Sequence, residues 1–420
     1  MSIINPASIL LLIIILECLW RICRNKKEIW SPLTFLSAYL AYYVVLPSFD
    51  DEIIMSAEAH YLVQFGGLLF YIIFLLSYKL YKPSKEFKSF NKCFSQEQNY
   101  GKYGITLFLI AFFSYTLIKG FSIYVFAGTD VESNGFDESL YYNRSSDYLT
   151  SLISLFCVSA SLLYASKKKF DLFQIILMLI SISIYLIGGS RFRILSFIIV
   201  LLVVYYLYPK VKKVKLLYVL PLLFTIYIGM GVIERSRHYG IGLDINIAKS
   251  IILGQDLESM TAKENTLVYT FSGKVMEKFH ERIYFEPLTC AVLMPIPRSV
   301  FPWKPNGDYL IKSKLLVDGT LAYGSAFTSF TEAYISFGWL GIILYGLFWG
   351  LISKRVWYNY KRNCSNFASI LLLALFNAVL YVAVSRGYLA QVFKVSVYYI
   401  FIPFWIDMIC SKFKYLVHKN

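Results

Sequence analysis

The sequence predicts an all-α polytopic membrane protein with about eleven transmembrane helices and one large extracytoplasmic loop. Of its 420 residues, 57% are hydrophobic and only 16% charged. The mean hydropathy of +0.57 is far above that of a soluble domain. Apolar runs of about 20 residues, each able to cross ~30 Å of hydrocarbon, recur along the whole length. The short loops between them alternate between basic and lysine-free, as expected when successive loops lie on opposite sides of a bilayer.

Taken in order, the runs lie near 3–20, 31–48, 59–77, 104–127, 148–166, 170–188, 193–208, 215–233, 329–351, 366–384 and 390–410. They divide the chain into an N-terminal bundle of about eight helices (1–233), a large extracytoplasmic loop with short amphipathic helices (234–328) and a C-terminal bundle of about three helices (329–420). The first run, MSIINPASILLLIIILECLW, has no basic residue before it and RICRNKK after it. That charge order reads as an uncleaved span entering from outside, not as a signal peptide.

With this orientation the cytoplasmic loops hold 24 basic residues, 20 Lys and the four arginines Arg21, Arg24, Arg355 and Arg362. Most of the +15 net charge is therefore topological, and it implies no nucleic-acid partner. The opposite side keeps the other eight of 12 arginines, Arg144, Arg191, Arg193, Arg235, Arg237, Arg282, Arg298 and Arg386, and its short loops contain no lysine. The positive-inside rule counts lysine and arginine alike, so it does not account for this separation. A ligand gripped by the planar guanidinium fork, such as a diphosphate, does. Of the seven cysteines only Cys290 falls in the outer loops, so no outer disulfide can form within one chain.

Arg191 and Arg193 follow Gly188 and Gly189 and stand at the N-terminal end of the next helix. A cation is disfavoured there and an anion attracted. Either a bound phosphate or snorkelling to lipid headgroups reconciles the two arginines with that position. Arg235 and His238, in VIERSRHYG, and Arg386, in VSRGYL, close other spans in the same way.

The loop 234–328 is too long for a mere connector. Its LVYTFSGKVMEKFHERIYF segment mixes apolar and charged residues at helical spacing. The following EPLTCAVLMPIPRSVFPWKPNGD has an apolar core too short to span and broken by prolines, so it lies along the surface or dips in beside other helices. Arg298 and Trp303 in this segment suit a phosphate clamp and a sugar-stacking platform, or equally interfacial anchors.

Groups able to take a proton from a hydroxyl are His238, His280, Glu281 and Glu332, with Glu286 and Asp308 nearby in sequence. His280 and Glu281 also fit a solvated helix face. Acids are scarce inside the spans, where Glu17 sits one turn from Arg21; this argues against a proton-coupled transporter. No metal-ligand spacing, P-loop, nucleotide fingerprint or GxSxG elbow is visible, so a metal-independent, cofactor-free site built on arginine is expected. GLFWG at 346–350 fits the small-residue helix-packing pattern.

GGSRFRIL (188–195), MPIPRSVFPWKP (294–305) and GSAFTSFTEAYISFGWLGIILYG (324–346), set in this architecture, resemble the Wzy-type polymerases of O-antigen and capsular polysaccharide, also called oligosaccharide repeat unit polymerases. The resemblance implies a GT-C-like helical bundle in a bacterial cytoplasmic membrane, with the N-terminus outside and the C-terminus cytoplasmic. It implies undecaprenyl-diphosphate-linked oligosaccharides as substrates on the outer face. A hydroxyl on the non-reducing end of an incoming repeat would attack the anomeric carbon that joins the growing chain to its carrier, and undecaprenyl diphosphate would leave. Carried onto this sequence, diphosphate binding falls to Arg191, Arg193 and Arg298, with Arg235 and Arg386 as weaker members. The implied partners are this lipid-linked oligosaccharide and membrane lipids, with a chain-length regulator and a flippase alongside. The rival readings are a ligase that transfers finished glycan from the same carrier, a lipid-linked oligosaccharide flippase and a structural scaffold. A flippase needs charged residues along a path open to both sides, whereas the arginine bias is confined to one.

Overall fold

A computed structural model of the chain describes residues 5–51, 53–84, 87–119, 151–187, 191–208, 264–293, 296, 300–303, 305, 307–318 and 326–417. Among the described residues there are helices and connecting turns but no strands, as expected of a helical membrane protein. They belong to two compact units, 1–93 with 264–420 and 94–263, a grouping by contact that differs from the loop order of the sequence.

In the larger unit the first three helices are set by their caps. α1 (Pro6–Arg24) opens with Asn5, whose side chain accepts from the Ala7 N–H at 2.9 Å, and it ends on Arg21 and Arg24, cations suited to a helix C-terminus. α2 (Pro32–Leu40) starts behind a Ser31 cap and continues through a wide π-helical turn, Ala41–Val45. α3 (Ala57–Leu80) is capped by Ser56, whose hydroxyl accepts from the Ala59 N–H at 3.0 Å.

The smaller unit contains α4 (Tyr100–Lys119), α5 (Leu155–Lys167), α6 (Leu172–Ile187) and α7 (Arg191–Leu207). α4 and α5 approach closely at Gly104, whose carbonyl accepts from the Ser159 hydroxyl at 2.7 Å. Lys168, in the left-handed region with φ 59, turns the chain from α5 towards α6.

The larger unit resumes with α8 (Glu264–Lys278), α9 (Glu286–Leu293), α10 (Asp308–Asp318), α11 (Ser329–Phe337), α12 (Trp339–Arg362), α13 (Phe367–Ser385), α14 (Leu389–Ser396) and α15 (Ile402–Val417). α13 is buried along its entire length, the fate of a helix apolar all round. α1 instead exposes Leu12, Ile15, Leu16 and Leu19, a face suited to lipid.

Among the described residues six helical stretches are long and apolar enough to cross a membrane: Pro6–Arg24, Pro32–Phe49, Ala57–Leu80, Trp339–Arg362, Phe367–Ser385 and Leu389–Ile409. Shorter apolar helices cover Ser151–Lys167, Leu172–Tyr185 and Phe192–Leu207. The expected run 215–233 lies outside the described residues. The expected single span 329–351 is corrected. Gly338, with φ +64, ends α11, and α12 begins afresh at Trp339. Hydropathy is continuous across this break because the break is a backbone feature that glycine permits.

One end of the larger unit collects the charges expected together. Glu17 pairs with Arg21 at 3.3 Å and with Lys79 at 2.7 Å, and Lys361 pairs with Glu28 at 2.5 Å. α3 and α12 pack side by side through GLFWG. A Cβ at Gly346 would lie 3.1 Å from the Phe70 carbonyl oxygen, and one at Gly350 would lie 1.8 Å from Ser77 Oγ and 2.7 Å from the Phe74 carbonyl oxygen. The Ser77 hydroxyl can rotate, but the Phe74 carbonyl is backbone. Gly350→Ala is therefore expected to cost about 1–3 kcal/mol and lower the unfolding temperature in detergent. Adding Ser77→Gly should recover only part of the loss; full recovery would show that the backbone contact is not limiting.

Candidate functional site

At the other end of the larger unit three chain segments meet: α8, the start of α11 and the turn 385–388 between α13 and α14. Their junction is a patch of buried polar residues in an otherwise apolar chain: Ser272, Thr328, Ser329, Thr331, Glu332 and Ser385. Gly387 makes the junction possible, since a Cβ there would lie 2.0 Å from the Phe327 carbonyl oxygen. The Thr328 N–H donates to Ser272 Oγ at 2.9 Å, while the Ser272 hydroxyl donates to the Val268 carbonyl at 2.6 Å. These bonds satisfy groups that burial would otherwise leave costly.

Glu332 is the carboxylate of this junction, 3% exposed. One oxygen accepts a close hydrogen bond from the Tyr309 hydroxyl, and the other accepts from the Leu389 N–H at 2.8 Å. The second bond caps the N-terminus of α14, where a side-chain acceptor is most useful. Burial pushes the Glu332 carboxyl up to about 8, against the lowering effect of its two donors. In its protonated form it turns the first of these bonds round, giving its own proton to the Tyr309 oxygen, and ties α10, α11 and α14 together as a neutral strut.

In the turn that precedes α14, Arg386 Nη2 lies 3.2 Å from Glu264 Oε1, with the two side chains 25% and 19% exposed. Glu264 is the first residue of α8 and Arg386 the C-cap of α13, so each charge also complements its helix dipole. The Tyr43 and Tyr381 hydroxyls, 3.0 Å apart, lie within electrostatic range of both charges. Further along α8, the Tyr269 phenol oxygen accepts from Gln64 Nε2 at 3.2 Å, which leaves its proton for His60 Nδ1, also at 3.2 Å. Burial holds the Tyr269 phenol up at about 12.

The residues expected at a site are distributed as follows. Arg386 and Glu332 are brought to this one junction. His280 and Glu281 are exposed, and Glu281 pairs with Lys312 at 3.2 Å. Trp303 is 83% exposed, with Phe301 edge-on at 6.0 Å. Arg191 opens α7. Arg193, in the same first turn, places its guanidinium 5.5 Å from the centre of the Phe192 ring. Both belong to the smaller unit. Arg235, His238 and Arg298 lie outside the described residues.

Sequence reasoning missed Glu264, Tyr309, His60 and Tyr269. The only local signal was for Glu264, an acid at the start of a helical pattern; the others are joined to the site by chain distances of 23 to more than 200 residues. Among the described residues no three His, Cys, Asp or Glu side chains are grouped as metal ligands.

Chemically, the junction holds a part-exposed guanidinium already paired with the Glu264 carboxylate, a group of the kind that grips carboxylate or phosphate oxygens. Comparison with protein families, characterised proteins and solved structures gives no match.

Proposed function

We propose that this chain is a membrane glycosyltransferase that joins undecaprenyl-diphosphate-linked oligosaccharide repeat units into O-antigen or capsular polysaccharide at the outer face of a bacterial cytoplasmic membrane. The proposal includes about eleven spans in a GT-C-like bundle, with the N-terminus outside. The observation that carries it is the segregation of eight of the 12 arginines, Arg386 and Arg193 among them, to the side whose short loops lack lysine. The part-exposed Arg386 guanidinium, within electrostatic range of the buried Tyr43 and Tyr381 hydroxyls, supports the same reading.

In the reaction an acceptor hydroxyl oxygen forms a bond to the anomeric carbon, the bond from that carbon to the diphosphate oxygen breaks, and the hydroxyl proton passes to a base. The leaving diphosphate gathers negative charge that preorganised guanidinium groups stabilise. His238, His280, Glu281 and Glu332 are the candidate bases. Glu332 accepts the proton only once ionised and released from Tyr309. Trp303 offers an open ring on which a sugar can stack. The lipid diphosphate is itself the activated donor, so nucleotide, cofactor and metal have no part in the scheme.

The test is the product of purified protein in vesicles supplied only with undecaprenyl-diphosphate-linked repeat units. The expected result is a regular glycan ladder on a gel without nucleotide sugar, ATP or added metal. With the cognate repeat and a folded protein, absence of a ladder rejects the polymerase. Transfer to another acceptor would then indicate a ligase, and movement of the lipid across the bilayer a flippase.

A further inference from the structure

α9 is apolar on two sides. Pro287, Cys290 and Ala291 are buried, the latter two in a core with Tyr309, Phe327, Ile335 and Ala390. The other side exposes Leu288 (51%) and Val292 (56%), with Phe285 (65%) one turn earlier. That spacing is one helical stripe. The polar residue on this side, Thr289, donates its hydroxyl back to the Phe285 carbonyl at 3.0 Å. A polar group satisfied within its own helix is compatible with hydrocarbon. Glu286, part-buried at the start of α9, is its charged residue; beyond it the helix carries no charge and is apolar on both faces, a pattern that belongs in a protein core or in lipid, and the exposed stripe is not in the core.

The stripe adjoins a surface suited to lipid on separate grounds. Phe285 packs edge-on against Phe337 at 5.0 Å, and Tyr284 meets the same ring at 6.0 Å. Phe337 in turn lies against Gly341 in the first turn of α12. Along α12, a helix long and apolar enough to cross a membrane, Leu340, Leu344, Leu347, Phe348 and Leu351 are exposed. Tyr284 and Arg282 flank the junction, Arg282 donating to the Tyr334 carbonyl at 2.7 Å, in the manner of aromatic and basic residues at headgroup level. Eight residues of helix span about 12 Å, too little to cross the bilayer.

We propose that α9 is embedded in one leaflet, its Phe285–Leu288–Val292 stripe against lipid acyl chains, and so anchors the segment between α8 and α11 to the membrane surface. The anchor does not depend on the glycosyltransferase reading.

The experiment uses the full chain in phosphatidylcholine nanodiscs, with Leu288→Trp, Val292→Trp and Glu281→Trp made separately. Subtracting the wild-type spectrum isolates each introduced indole. At 288 and 292 the indole should lose about half of its emission in nanodiscs of acyl-dibrominated phosphatidylcholine and resist aqueous acrylamide; at 281 the pattern should reverse. Indoles at 288 and 292 that acrylamide quenches and bromolipid does not would overturn the proposal and leave water or a protein partner as the occupant. Leu288→Asp and Leu288→Ala provide an independent readout. A lipid-facing site should make Asp clearly the more destabilising in thermal unfolding, whereas equal unfolding temperatures would also overturn the proposal.

Discussion

Glu332→Gln should gain stability relative to wild type as pH rises from 5 to 8. Burial raises the Glu332 carboxyl from the ordinary 4.5 to about 8 in the folded chain. A raised folded value means that the stability associated with the protonated acid is fully present below about 4.5 and is lost as pH climbs through about 8. Between those limits the loss approaches about 1.4 kcal/mol per pH unit. Glutamine copies the neutral acid: its oxygen can accept from the Leu389 N–H and its amide can donate to the Tyr309 oxygen, with nothing to titrate.

Glu332→Ala should behave differently. It leaves the Leu389 N–H and the Tyr309 hydroxyl without this hydrogen-bond partner, at about 1–3 kcal/mol for each buried group. It should be the least stable of the three at pH 5, and its deficit relative to Glu332→Gln should not change with pH. Thermal unfolding in detergent at pH 5, 6.5 and 8 separates these cases. A wild-type to Glu332→Gln difference that stays flat over that range would mean that the carboxyl is already ionised at pH 5 and the neutral strut does not exist.

Much of the architecture was legible because a membrane makes local signals strong. Runs of apolar residues marked the helices, and Asn5, Ser31, Ser56 and Asn366 mark the starts of four of them by ordinary capping. The Glu17–Arg21 pair was readable at i,i+4 spacing, but its third member, Lys79, lies 62 residues away. GLFWG announced a close helix contact without naming α3 as its partner. The 329–351 run misled because hydropathy registers side chains and not the Gly338 backbone turn.

The junction was less legible for the same physical reason. Glu332 looks like any carboxylate in sequence; its burial, raised titration and capping role come from Tyr309 and Leu389, 23 and 57 residues distant. Charge sorting singled out Arg386 as one of the arginines expected outside, while the carboxylate that meets it, Glu264, had no pattern connecting the two.

Arg386 separates a structural from a functional use of guanidinium. Arg386→Gln leaves Glu264, 19% exposed, without this cationic partner, so the single variant should lose both stability and elongation. Glu264→Gln added to it removes the orphaned charge and should restore the unfolding temperature. Elongation should stay about 10²–10³-fold slower, the scale of one preorganised donor to a leaving anion. Arg386→Lys should fall between, because an ammonium keeps the charge but not the two-pronged grip on phosphate oxygens. The measurement is ladder growth rate in vesicles, read beside unfolding temperature for each variant. If the double variant elongates at the wild-type rate, Arg386 serves only to join α13 to α8 and has no part in the proposed diphosphate binding.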